Sequence, residues 1–293
     1  MPDIVLPFRT PELVYLGSGS IQKLAPEARR LGTRALVVTD KGVAGTGLAD
    51  AVKKQLGEAG LAVELFDQTM AEPDFENVDL CLGVAKQFGA DLLIGLGGGS
   101  SMDLAKGVAA MLTNPGKLID YYGTDKIPNP ARPVIGIPTT AGTGSEATPN
   151  AIFTDHAEQL KKGVVSPYLM PKVAIVDGDV TLTVPPRVTA ATGMDALTHA
   201  VESYTSRRAT MQSELYSLEA IRLISSSLRT AVWDGANTDA RRLMAAGSFF
   251  AGIAIANAGT GAVHAMAYPL GGQFGVPHGV SNALLMPYVL EQN

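Results

Sequence analysis

Cysteine and histidine are scarce in this chain of 293 residues, with one of the first and four of the second. A lone Cys81 excludes an internal disulfide and reads as a small buried apolar group in a reducing compartment. Basic residues never gather: 23 lysines and arginines are scattered against 28 acids, for a net charge of −5. That balance leaves no patch for nucleic acid or an anionic membrane surface as partner. The opening stretch "MPDIVLPFRTPELVYLG" lacks the charged-then-apolar layout of a signal peptide, so a cytoplasmic location is expected.

Charge of either sign disappears between Leu243 and Leu290, which invites a transmembrane reading. The most apolar part, "AAGSFFAGIAIANAGTGAV", is dominated by alanine and glycine, contains Asn257 and Thr260, and has no leucine. Small side chains suit close helix packing in a soluble core better than contact with lipid, so no membrane span is expected. The length fits two domains or one large one.

What is present is an alternation. Six short β-rich runs, "LVYLG" (13–17), "RALVVTD" (34–40), "AVELFD" (62–67), "DLLIGLG" (91–97), "PVIGIPT" (133–139) and "VAIVDG" (173–178), punctuate the first part of the chain. Amphipathic stretches such as Gly47–Ala59 and Asn77–Phe88 lie between many of them. Apolar strands alternating with helices predict a mostly parallel, Rossmann-like α/β sheet covered on both faces. After "TVPPRVTAATG" the pattern is helical with no convincing strand, so the expected domains are 1–183 (α/β) and 184–293 (all-α). No internal repeat or low-complexity tract interrupts either part.

Three strand ends carry candidate ligand loops. "DLLIGLGGGSSMDLAK" (91–106) reads as strand, glycine turn and helix. Gly97, Gly98 and Gly99 let a backbone approach a phosphate, and Ser100 is placed to cap the helix. The run is not G-x-G-x-x-G, and a purely structural tight turn also accounts for it. Asp40 ends "RALVVTD", where a carboxylate either accepts ribose hydroxyls and repels a 2′-phosphate, or caps a helix. "GIPTTAGTGSEATPN" (136–150) adds hydroxyls and small residues at a third strand end. Loops at that edge are where ligands bind in open α/β sheets, and three together favour a dinucleotide.

In "TGMDALTHAVES", Asp195 and His199 stand four residues apart, on one helical face. His264 and His278 lie in "GTGAVHAMAYPLGGQFGVPHGVSNA". One carboxylate and three imidazoles form a mixed set that suits Fe(II) or Zn(II) rather than Mg(II) or Ca(II). Each histidine alone is equally an ordinary core residue, and His156, in the polar "TDHAEQLKK", reads as solvated.

With these residues in view, the sequence resembles the iron-containing (group III) alcohol dehydrogenases, from about Leu6 to its last residue. The resemblance is carried by "GGGSSMDLAK", "PTTAGTGSE", "VDGDVTLTVPP", "TGMDALTHAVESY" and "PLGGQFGVPHGVSNA", in that order. It implies a dehydroquinate synthase-like two-domain architecture, an NAD-binding α/β half and a helical metal-binding half with the active site between them. It implies that Asp195, His199, His264 and His278 are the metal ligands. It also implies that Gly97, Gly98, Gly99 and Asp103 lie around the pyrophosphate and nicotinamide of NAD. Thr139, Thr140, Thr143 and Thr148 would line the same site, and Lys161 would sit near the nicotinamide ribose. Asp40 matches the position that favours NAD over NADP, and Asn150 and Ile255 look like substrate-pocket positions.

The implied reaction interconverts a small primary alcohol and its aldehyde with NAD and a divalent cation, Fe(II) or Zn(II). Two departures stand out. Many relatives carry a second histidine at position 268, thought to relay a proton, and here it is Tyr268. A hydroxyl of pKa ~10 is a poor shuttle at neutral pH, so Tyr268 is expected to shape the pocket. Relatives also continue beyond "MPYVLEQN", and the helices expected there would cover apolar faces. Left uncovered, such faces are expected to aggregate or drive homo-oligomerisation. The alternatives are an NAD- and metal-dependent lyase like the dehydroquinate synthases, or a non-catalytic remnant that binds NAD. The first needs basic residues around a phosphorylated substrate, and the uncharged 243–290 stretch offers none.

Overall fold

The computed structural model describes residues 6–292; Met1–Val5 of the opening stretch and Asn293 lie outside them. The chain runs β1 (Leu13–Leu16), α1 (Leu24–Leu31), β2 (Arg34–Val38), α2 (Lys41–Gly45), α3 (Leu48–Glu58), β3 (Ala62–Phe66), α4 (Phe75–Phe88) and β4 (Leu92–Gly97). It continues with α5 (Gly99–Met111), β5 (Gly123–Thr124), β6 (Val134–Pro138), β7 (Asn150–Asp155), β8 (Leu160–Val165) and β9 (Val173–Val176). Five helices follow: α6 (Pro186–Thr205), α7 (Met211–Trp233), α8 (Thr238–Ala258), α9 (Ala262–Phe274) and α10 (His278–Gln292).

Six strands form one sheet in the order β1-β9-β6-β4-β2-β3, with every neighbouring pair parallel. Period-two alternation decides what each face buries. On β2, Leu36 and Val38 pack with Leu93 and the helices α4 and α5, while Ala35 and Val37 pack with Leu92, Ile94, α1 and α3. Both faces are apolar because both are covered, which is why the strand runs read as continuous rather than alternating. From β2 the chain goes on to β3 at one edge, and from β4 to β6 on the other side. The sheet therefore reverses its winding between β2 and β4, and the crevice at their carboxyl ends is where open α/β sheets take ligands.

All six predicted strands form within a residue or two of their expected bounds. The sequence reading missed a smaller sheet, β5-β8-β7, whose core is the antiparallel β7–β8 hairpin. Its strands alternate buried and half-buried residues and carry lysines, so no continuous apolar run marks them. The hairpin puts Lys161 on a strand, and it makes His156 less isolated than expected. His156 Nε2 lies 3.0 Å from Asp74 Oδ2, although its side chain is still 69% exposed.

Helices α6, α7 and α8 pack closely through small residues. A Cβ on Gly193 would meet Leu228 Cδ1 at 2.3 Å, and one on Gly247 would meet Ile224 Cγ1 at 2.7 Å. The alanine- and glycine-rich α8 is thus core: Ala251, Gly252, Ile253, Ala254 and Ala258 are all buried. Among the described residues no single helix is long and apolar enough to cross a membrane. The pair α8 and α9 passes that test only together, bent by 104°. Cys81 is buried and unpaired, as expected.

Candidate active site

Helix α6 presents Asp195 and His199 one turn apart on a buried face. His264 comes from the first turn of α9, and His278 begins α10 directly after Pro277. A close approach sets the position of α10: a Cβ on Gly279 would lie 2.0 Å from the Ala191 carbonyl oxygen of α6, so only glycine fits there. The result is convergence. From Asp195 Oδ1 it is 3.8 Å to His199 Nε2, 3.5 Å to His264 Nε2 and 3.6 Å to His278 Nε2. Asp195, His199 and His264 offer donor atoms within 4.8 Å of one another. His278, with its side chain 26% exposed, stands on the open side.

This spacing fits a cation. Four ligands at 2.0–2.1 Å in tetrahedral array lie about 3.4 Å apart, close to the three separations from Asp195 Oδ1. The electrostatics agree with the geometry. Burial alone would raise the pKa of Asp195, but His199, then His264 and His278, outweigh it and hold the carboxyl far below its usual range. Burial pushes His199 down to about 4, with His264 and His278 adding to the effect against the pull of Asp195. Burial also works against charge on His264, yet Asp195 and Glu202 prevail and push it up to about 9. Positive charge is thus favoured on His264, between two buried carboxylates, while burial keeps His199 and His278 toward the neutral form.

Two residues that sequence reasoning did not single out take part. Glu202 Oε2 accepts from His264 Nδ1 at 2.5 Å, and its Oε1 accepts from the Val263 amide at 2.6 Å. The Asn282 carboxamide donates to Asp195 Oδ1 at 2.6 Å and lies 3.2 Å from His264 Nε2 and 3.4 Å from His278 Nε2. Both were available to helical periodicity: Glu202 continues the Asp195–His199 face at i+7, and Asn282 stands at i+4 from His278.

The sheet contributes a groove that leads to this cluster. A cavity of about 860 Å³ runs past Asp40, Gly98, Ser100, Thr139 and Thr140. It shares Gly98, Ser100 and Thr140 with a second cavity of about 1180 Å³, which reaches His199, His264 and His278. The glycine turn is packed under the threonine loop. A Cβ on Gly99 would strike Thr143 Cγ2 at 2.7 Å, and one on Gly97 would strike Ser101 Oγ at 2.5 Å. Gly144, in the left-handed region at φ 60°, presses against Gly252 of α8 with 2.4 Å left for any Cβ. That contact seats the loop from the sheet half on the helical half.

Ser100 does not cap α5; Gly98 holds that position, and Ser100 Oγ instead donates to the Ala71 carbonyl at 2.6 Å. The reason is register, since the helix starts two residues earlier than a cap at Ser100 needs. Asp40 is a helix cap: its Oδ1 accepts from the Val43 amide at 3.0 Å, while the residue lines the groove.

Asp103 braces the threonine loop, with Oδ1 accepting from Ser145 Oγ at 2.6 Å and Oδ2 from the Ile152 amide at 2.9 Å. Beneath it, the fully buried Lys106 donates to Ser145 Oγ, Thr148 O and Asn150 O at 2.6–3.0 Å. Such charge-assisted bonds contribute about 1.5–3 kcal/mol each, enough to hold a loop in place. Lys161 Nζ pairs with Glu72 Oε1 at 2.9 Å on the wall of the larger cavity. Asn150, Ile255 and Tyr268 line the same cavity, and the Tyr268 ring stacks on His278 at 5.7 Å and 10°.

Comparison with known proteins agrees with this geometry. Residues 11–178 match the family model of iron-containing alcohol dehydrogenases, and residues 189–293 match the C-terminal model of the same family. Long-chain-alcohol dehydrogenase 1 of Geobacillus thermodenitrificans is 46% identical over 96% of this chain and 71% of its own length. The NAD-dependent methanol dehydrogenase of Bacillus methanolicus is 38% identical over 98% of this chain and 75% of its own. The crystal structure of a 1,3-propanediol oxidoreductase superposes with a TM-score of 0.96 at 40% identity, over 99% of this chain and 76% of that one. The chain is a member of the iron-containing alcohol dehydrogenase family, an NAD- and metal-dependent oxidoreductase acting on alcohols and aldehydes.

Proposed function

We propose that Asp195, His199, His264 and His278 hold one Fe(II) or Zn(II) ion, and that the enzyme interconverts small primary alcohols and their aldehydes. The single observation that carries this reading is the 3.5–3.8 Å spacing of three imidazole nitrogens around one buried carboxylate oxygen. Their donor chemistry suits a borderline transition-metal ion. When bound, the cation supplies Lewis acidity toward the substrate oxygen, and the nicotinamide gives or accepts the hydride.

The chain's own share is positioning. Residues 1–183 form the nucleotide half and 184–293 the metal half. Asp40 faces the ribose, Gly97, Gly98 and Gly99 admit the pyrophosphate, and Thr139, Thr140, Thr143 and Thr148 line the groove. Asp103 acts on the same site through the loop it braces, and Lys161 stands at the nicotinamide ribose. Asn150 and Ile255 bound the substrate, while Tyr268 packs on His278 and narrows the pocket without carrying a proton. Holding the reacting carbon and nicotinamide in one dry cleft supplies the near-attack arrangement. The lyase alternative loses its basis, since the chain belongs to a family of alcohol oxidoreductases.

The enzyme is read as cytoplasmic, with no nucleic-acid or membrane partner. Homo-oligomerisation is supported by Met211, Leu215 and Leu218, exposed along one side of α7. Metal analysis of the purified chain, together with NADH oxidation across a panel of short aldehydes with Fe(II) or Zn(II) added, tests the whole. Metal-dependent turnover is expected. NADH binding without turnover at any metal loading would identify a non-catalytic remnant, and turnover without metal would refute the site.

A further inference from the structure

We propose that Glu202 is a positioning residue of the cation site. It fixes the ring and the proton of His264, and it supplies the second negative charge that a buried dication requires. This inference rests on the four-ligand reading above. A carboxylate only accepts hydrogen bonds, so the 2.5 Å contact puts a proton on His264 Nδ1 and turns Nε2 toward Asp195 Oδ1. The other oxygen, Oε1, takes the Val263 amide at 2.6 Å, and a Cβ on Gly261 would lie 2.8 Å from it. Glu202 is thereby seated on the backbone that opens α9, and one side chain sets both the start of that helix and the rotation of the imidazole it carries. His199 differs, because no carboxylate meets its Nδ1.

Charge leads to the same residue. An uncompensated buried charge is costly, and Asp195 neutralises only one unit of a dication. Glu202 is 6% exposed and provides the other, through the imidazole. A plain helix cap would need one acceptor, whereas this site uses two.

Glu202→Gln separates the roles. Glutamine offers a single oxygen to two donors, so it can keep the cap or the ring, but not both. In the full chain stripped of metal, titration with Co(II), followed by its visible absorption, and competition with Zn(II) give the affinity. The expected loss is about 10–100-fold, with a changed Co(II) spectrum and unchanged NADH binding. Wild-type affinity with a wild-type spectrum would overturn the proposal. His264→Ala is measured alongside: if it binds Co(II) as the wild type does, the ligand set itself is wrong. Should the glutamine variant not fold, Glu202→Asp keeps the charge but is one methylene short. Its Co(II) affinity is expected to fall as well, and an unchanged value would overturn the proposal.

Discussion

The two halves of this enzyme build their sites from different materials. The sheet half makes a groove from glycine backbone, threonine hydroxyls and strand ends, and several of its charged groups hold the backbone around it. Asp103 and Lys106 brace the loop, and Asp40 caps α2. The helical half makes its site from side chains alone, with imidazole nitrogens from three helices 3.5–3.8 Å from one carboxylate oxygen. Burial pushes Glu146, behind the groove, up to about 7 and pulls Lys106 down to about 8, so even the charges of the first half serve packing. A groove recognises shape and spreads its contacts over many atoms. A cation site concentrates its energy in a few bonds, and removing one donor leaves the rest misdirected.

If that contrast holds, His278→Ala has the largest effect. It is expected to lower kcat by about three orders of magnitude, the equivalent of several kcal/mol of charge stabilisation. NADH affinity, measured by fluorescence titration, should remain near the wild-type value; equal loss of both would erase the division between the halves. Asp40→Asn tests the groove at the carboxylate that both caps α2 and lines it. Asparagine keeps an oxygen for the Val43 amide, so the helix cap survives while the repulsion of a 2′-phosphate is relieved. Discrimination between NADH and NADPH is expected to narrow by about tenfold, about 1.4 kcal/mol, in a comparison of kcat/KM. Unchanged selectivity would make Asp40 a cap and nothing more. Tyr268→Phe should change least: the stacked ring remains, and activity at equal metal content should stay within about threefold. A severe loss would return a proton-carrying role to the hydroxyl.

The legibility of the two halves differed for physical reasons. The six central strands were plain in the sequence because both sheet faces are covered, which makes each strand a continuous apolar run bounded by turn residues. The β7–β8 hairpin was not, since half of each strand faces the cleft or solvent and its lysines break the pattern. The Asp195–His199 pair was legible as helical spacing. His264 and His278 stood out by rarity, and their role came from a family likeness. Ser100 was misplaced because a glycine turn can start a helix at any of several residues, and the sequence does not choose among them.

Composition, alternation and helical spacing by themselves determined the order of the elements, the parallel sheet, and which residue types were available for a cation and a nucleotide. These follow from local chemistry, since burial period and turn preference act over a few residues. Only the tertiary structure decided that His264 meets Asp195 across more than sixty positions, that Glu202 turns its ring, and that Lys106 ties the threonine loop from beneath. Those contacts depend on how α6, α9 and α10 cross. The crossing is set by close approaches such as Gly279 on Ala191, which no single segment encodes.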